Sequence, residues 1–227
     1  MCGRFVLSAE PETVQQEFNL DDLPTLASRY NIAPSQPVAV VTNQAPGELT
    51  IVQWGLIPSW AKDPKMAYKM INARSETAHE KPSYRSAFKR RRCLIPTTGF
   101  YEWIKTEDGK QPYFIHRNDK DVFAFAGLWE IWHSPEGEEV WTCTILTTDA
   151  NEKIQHLHHR MPVILEGDAR EAWLDDDSDG DELRGIMQPF DSDKIDYYPV
   201  SKAVNNVRND NPTLVDRDEP PKQQSMF

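Results

Sequence analysis

The fold is decided by two runs, Val122-Phe123-Ala124-Phe125-Ala126-Gly127-Leu128-Trp129 and Val140-Trp141-Thr142-Cys143-Thr144-Ile145-Leu146-Thr147. Both are short, apolar and rich in residues that favour extended backbone. In the second, Trp141, Cys143 and Ile145 alternate with Thr142 and Thr144, a period of two that predicts a strand with one buried face. Working toward the N-terminus, residues 112–116, 99–104 and 93–95 read as further strands. Residues 37–42 and 49–54 read as a hairpin turning at Pro46-Gly47, and 2–7 as a short first strand. Toward the C-terminus, 162–165 and 197–200 complete the set. Helical spacing is confined to short segments: 10–18 behind Pro11, the basic 84–91, and 151–156 and 169–174. Strands outnumber helices and no regular strand–helix alternation appears. The expected class is α+β, with a mainly antiparallel, barrel-like β-sheet and peripheral short helices.

The 227 residues suit one buried core, so a single domain over residues 1–209 is expected, followed by a disordered polar tail over 210–227. Lacking 18 successive apolar residues and a basic lead into an apolar run, the chain reads as a cytoplasmic protein with no membrane partner. Three cysteines in that setting argue for free thiols, and Cys93 and Cys143 read as core residues. The net charge of -11 by itself weighs against a nucleic-acid partner, but the distribution of that charge points the other way. Residues 61–92 hold ten Lys/Arg against three acids, a local +7. From residue 165 onward sixteen acids face seven bases, a local -9. A basic working face on an acidic body follows, and such acidity resembles the surfaces of salt-adapted proteins.

Cys2 is the chemical focus. Removal of Met1 ahead of so small a residue would leave an α-amine and a thiol on one residue, with ordinary pKa values of about 8 and about 8.5. An aldehyde forms an imine with that amine. The thiol then closes onto the imine carbon, giving a five-membered thiazolidine at high effective concentration. An internal cysteine has only an amide nitrogen and cannot do this. Position alone leaves the plainer reading, a small residue at a strand start, fully open.

Five segments follow in order: Cys2-Gly3-Arg4-Phe5; Tyr30-Asn31-Ile32-Ala33-Pro34; Trp54-Gly55-Leu56-Ile57-Pro58-Ser59-Trp60 with Ile71-Asn72-Ala73-Arg74-Ser75-Glu76-Thr77; Arg92-Cys93-Leu94-Ile95-Pro96 with Gly99-Phe100-Tyr101-Glu102-Trp103; and His158-His159-Arg160-Met161-Pro162-Val163-Ile164-Leu165. Together they resemble the SRAP family of abasic-site-processing proteins. The resemblance implies the SRAP fold and a site in which Cys2 is the nucleophile and Asn72 bonds near the terminal amine and the sugar. Glu102 would orient the amine and move protons, and His158 would act on the sugar ring oxygen as general acid. It implies Arg4 and Arg74 as phosphate ligands and Pro34, Trp103 and Arg160 at the DNA surface. The partner so implied is single-stranded DNA bearing an abasic site, met by a monomer without cofactor or metal. Lys89-Arg90-Arg91-Arg92 could form an outer phosphate track or a solvated helix face. Trp54 and Trp60 could stack on bases or pack the core.

Alternatives stay open at this level. His156, His158 and His159 could suggest a metal site, although no paired cysteines accompany them. A Cys2 amidohydrolase of the N-terminal-nucleophile class would use the same thiol on an amide. A Cys2-dependent peptidase or autoproteolytic activity, or abasic-site lyase-like chemistry, would also use this site, whereas a noncovalent DNA-binding module would not need Cys2.

Overall fold

The computed structural model describes residues 2–107 and 109–218. Its strands are β1 (Phe5–Leu7), β2 (Arg29–Ile32), β3 (Pro37–Thr42), β4 (Ala45–Trp54), β5 (Asn72–Arg74), β6 (Arg92–Thr97), β7 (Gly99–Thr106), β8 (Gly109–Arg117), β9 (Phe123–His133), β10 (Glu139–Asp149), β11 (Arg160–Pro162), β12 (Ile164–Leu165) and β13 (Ile195–Pro199). The helices α1 (Pro11–Phe18), α2 (Ser75–Ala78), α3 (Arg85–Arg90), α4 (Asp168–Leu174) and α5 (Gly180–Gly185) are all short. The fold is α+β with a barrel-like sheet, as the strand-rich pattern predicts.

The two deciding runs become β9 and β10, which pair antiparallel from Glu139↔His133 to Ile145↔Gly127. The pairings β10–β4, β4–β3, β3–β6, β6–β9 and β9–β10 close a ring. Beyond the ring, β10 carries β5 in parallel on one edge and β11 antiparallel on the other. A second sheet runs β13-β8-β7-β1-β2. Phe5 of β1 packs edge-on against Trp54 and Phe125 of the ring, so the strand that follows Cys2 is seated between the sheets.

Closure changes the expectation for β10. Thr142 and Thr144 are as buried as Cys143 and Ile145, so both faces of the strand are covered. Thr142 is satisfied there, its hydroxyl accepting from the Ile57 N–H and donating to the Glu130 carbonyl. Gly127 sits where β6 and β10 flank β9. A Cβ there would come within 2.9 Å of Cys93 Sγ. Cys93 and Cys143 are free thiols in this core.

Three local expectations need correction. The β3–β4 turn falls at residues 43–44, and Pro46-Gly47 lies inside β4. Asn43 fixes it: its side-chain amide donates to the Arg90 carbonyl, and its Oδ1 accepts from the Arg92 N–H and from Trp129 Nε1. Residues 152–157 form turns, not a helix, initiated by Asn151 Oδ1 accepting from the Ile154 N–H. The expected tail from residue 210 is anchored in its first part. Asp210 accepts from Arg29 and from the Tyr30 amide, Leu214 is buried, and Arg217 bridges to Val200. Residues 219–227 lie outside the described residues. Among those described, no helix is long and apolar enough to cross a membrane.

Candidate functional site

Cys2 enters the site along β1. That strand pairs antiparallel with β7 in the register Phe5↔Phe100 and Val6↔Gly99, and the Tyr101 N–H donates to the Arg4 carbonyl. Extending the register puts Glu102 opposite Gly3, which has no side chain to fill the space beside Cys2. The Glu102 charge acts directly on the Cys2 thiol. From the far side, Asn72 at the start of β5 donates its amide to the Cys2 carbonyl at 2.7 Å. β5 is itself fixed by its pairing with β10 and by the Tyr84 hydroxyl, which donates to the Asn72 carbonyl. Cys2, Asn72 and Glu102 therefore converge from three separate strand segments.

The environment sets their protonation. Cys2 is 0% exposed, a departure from the exposed cysteine that its chemistry suggests. Burial first, and Glu102 second, push its thiol well above the ordinary range, so it is held as S–H. Burial likewise raises the Glu102 carboxyl, against the lowering effects of the amino-terminal charge and the Trp103 backbone N–H. Asn72 Oδ1 is buried without a hydrogen-bond partner and can accept from an incoming hydroxyl.

His158 lies just before β11 and accepts at Nδ1 from the Arg160 N–H at 2.9 Å. A neutral imidazole with an acceptor Nδ1 carries its proton on Nε2. Burial is the largest cause pushing its pKa down to about 4, with the amino-terminal charge and the stacked His159 adding to it. Among the described residues, no group of three or more His, Cys, Asp or Glu side chains could hold a metal ion.

The arginines divide. Arg74 is exposed at the end of β5. Arg4 is half-buried: Nη1 donates to Asn31 Oδ1 and to the Val204 carbonyl, and its guanidinium lies 5.8 Å from the Trp103 ring. Trp103 is held in turn by Nε1 donating to Asn205. Arg160, expected at the DNA surface, is turned inward as a clamp. It is 5% exposed, grips Glu76 with both Nη atoms and bonds Asp149. That clamp joins α2, directly after Asn72 and Arg74, to β11, which begins two residues after His158. Pro34 is half-buried in the turn after β2, on the sheet that contains β1.

Trp54 is core, fully buried with Nε1 donating to the Ile71 carbonyl, whereas Trp60 is 57% exposed. Sequence reasoning missed Tyr68, exposed on the 3-10 turn Pro64–Lys69, and the structural role of Asn31. Buried Asn31 donates to the Val204, Asn206 and Asn209 carbonyls, holding the segment against Arg4. A polar residue inside Tyr30-Asn31-Ile32-Ala33 was the available signal.

Known proteins resemble this chain over nearly its whole length. A family model described as SOS response associated peptidase (SRAP) matches residues 1–207. The abasic site processing protein YoqW of Bacillus subtilis is 44% identical, covering 95% of this chain and 99% of its own. The abasic site processing protein HMCES of Gallus gallus is 41% identical over 71% of this chain and 55% of its own length. An X-ray structure of a protein from Bacteroides thetaiotaomicron superposes with a TM-score of 0.85 at 29% identity, covering 96% of this chain and 100% of that one. A family model that matches residues 1–207 and a relative 44% identical over 95% of this chain make this chain a member of the SOS response associated peptidase (SRAP) family.

Proposed function

We propose that the protein captures abasic sites in single-stranded DNA by forming a thiazolidine between Cys2, freed of Met1, and C1′ of the ring-opened sugar. The reading is supported by the relatives named abasic site processing proteins and by the geometry around Cys2. The observation that carries it is the grip of Asn72 on the Cys2 carbonyl at 2.7 Å beside the buried Glu102. On this reading, the Cys2 nitrogen set free by removal of Met1 would lie within reach of Glu102 as a proton carrier.

The Cys2 amine adds to the C1′ aldehyde and Glu102 takes the proton released. Glu102 returns that proton to the former carbonyl oxygen, carries the second amine proton there in turn, and the oxygen leaves as water with the neutral imine formed. The thiol adds its sulfur to the imine carbon, and its proton passes through Glu102 to the nitrogen. One water is lost overall. A carboxyl raised by burial suits this two-way traffic. His158, neutral near pH 7, donates Nε2–H to the sugar ring oxygen, so its part is a hydrogen bond more than a charged acid. Asn72 Oδ1 accepts from the sugar hydroxyl. Exposed Trp60 and Tyr68 offer faces for unstacked bases. A thiol held as S–H makes a poor peptidase nucleophile but serves well as the second partner of an imine.

The test is a denaturing gel after mixing the protein with single-stranded DNA carrying one abasic site. A shifted band that persists in denaturant is expected for the wild type. It should vanish for Cys2→Ala and for a chain kept behind an uncleaved N-terminal tag. Glu102→Gln and His158→Ala should slow its appearance while leaving affinity for undamaged DNA intact. A Cys2→Ala protein that still forms the band would defeat the proposal.

A further inference from the structure

We propose that Lys81, Arg85 and Lys89 form a phosphate-binding row that carries one flank of the single DNA strand away from the site. The inference rests on the capture reading and extends it to the strand beyond the lesion. Helical bonding begins before α3: the Arg85 N–H donates to the Lys81 carbonyl at 2.8 Å, and the Phe88 N–H to the Tyr84 carbonyl at 2.8 Å. Arg85 and Lys89 therefore stand one turn apart on α3, about 5–6 Å between their Cβ atoms, with Lys81 in the turn that leads into the helix. All three are exposed, while Tyr84, Ala87 and Phe88 on the opposite side are buried. Tyr84 pins the row to the site, because its hydroxyl donates to the carbonyl of Asn72.

The charges of this row are unspent. In a chain with 36 acids, none of the three has an ion pair or side-chain hydrogen bond among the described residues. Glu80, the carboxylate next to Lys81 in sequence, lies against His79. Their neighbours differ: Arg91 is paired to Glu130 at 2.7 Å, and Arg92 is 1% exposed and bonded to backbone carbonyls. The phosphate track therefore does not follow the sequence run 89–92. It follows Lys81, Arg85 and Lys89. Three unspent cations on a segment that Tyr84 ties to Asn72 match a polyanion that passes through the site and continues along the helix.

The probe is an undamaged single strand of about 20 nucleotides, longer than the ~4–16 that one such site spans. Binding is measured against salt for the wild type and for the triple variant K81A/R85A/K89A. A control, K120A/K153A/R184A, removes three cations that are paired to carboxylates elsewhere. At ~0.7 counterions per phosphate on single strands, the triple variant should lower the log–log salt slope by about 2 and weaken binding at low salt by about tenfold or more. Trimming one flank of the strand should bring the wild type down to the level of the variant. With abasic DNA at saturation the triple variant should still form the denaturant-resistant band. An unchanged slope, or an equal loss in the control, overturns the row. A loss seen only when the flank is duplex overturns the single-strand assignment. If the wild type forms no band, the capture reading fails, and the slopes on undamaged DNA still decide the row.

Discussion

Replacing Arg92 with Met isolates a cation that the sequence offers as a DNA contact and the structure assigns to the fold. Its guanidinium donates to four carbonyls: Phe88 at 3.1 Å, Lys89 at 2.9 Å, Trp173 at 2.8 Å and Asp175 at 2.7 Å. These are the closing turns of α3 and α4, where orphan carbonyls and the negative end of the helix dipole favour a cation. Hydrogen bonds from a charged donor contribute about 1.5–3 kcal/mol each. Burying the guanidinium opposes this, and burial accordingly lowers the Arg92 pKa. The exposed Asp176, 3.7 Å away, adds little. A net loss of about 4 kcal/mol is expected for Arg92→Met, a large part of the ~5–15 kcal/mol typical of a domain. At about 2–4 °C per kcal/mol for a chain of this size, Tm should fall by about 8–16 °C. Urea unfolding should show a lower midpoint at unchanged slope, and the salt dependence of DNA binding should match the wild type below the transition. A variant within about 1 kcal/mol of wild type that instead loses salt-dependent affinity would refute this assignment.

Other outcomes follow from the same geometry. Trp60→Ala should weaken single-strand binding by about 1–3 kcal/mol with little change in stability, whereas Trp54→Ala should cost about 3–5 kcal/mol of stability, read by titration and by melting. The depressed His158 pKa, about 4 against an ordinary value near 6.5, means the unfolded chain binds the proton more readily between those limits. Its stability contribution is present above pH 6.5 and lost as pH falls toward 4, so urea midpoints should drop across that window less steeply in His158→Asn. Glu76→Gln should release Arg160 and slow capture without altering affinity for undamaged DNA, and Glu76→Asp should recover part of the rate in single-turnover gels.

Much of the architecture was legible because closed-ring strands are apolar runs with extended-backbone preferences, and those runs end where turn residues fall. What the pattern could not show was closure itself. A strand with covered threonines looks half-exposed until the ring places Thr142 against the Ile57 N–H and the Glu130 carbonyl. The turn at 43–44 was hidden because Asn43 is held by groups on β6, β9 and the end of α3, far away in sequence. At the site, residue types and order picked out Cys2, Asn72 and Glu102, which the strands bring together. They could not separate Arg74, left in solvent, from Arg160, closed onto Glu76, or Trp60 from Trp54. That division depends on which side of a strand or turn each chain faces, and long-range packing decides it.

The complete burial of Cys2 sets a clock on the biosynthesis of this protein. The partner that covers β1, namely β7, emerges from the ribosome nearly a hundred residues later, and the segment clasped by Asn31 comes another hundred after that. At about 5–20 residues per second the leading end stays uncovered for several seconds at least, long enough for an aminopeptidase to work on it. Once β1 docks, Cys2 is covered. On the proposed function, trimming of Met1 is therefore expected while the chain is still being made. Overexpression that outruns the trimming enzyme would accumulate folded chains locked in an unreactive form, which refolding in the presence of the enzyme would rescue.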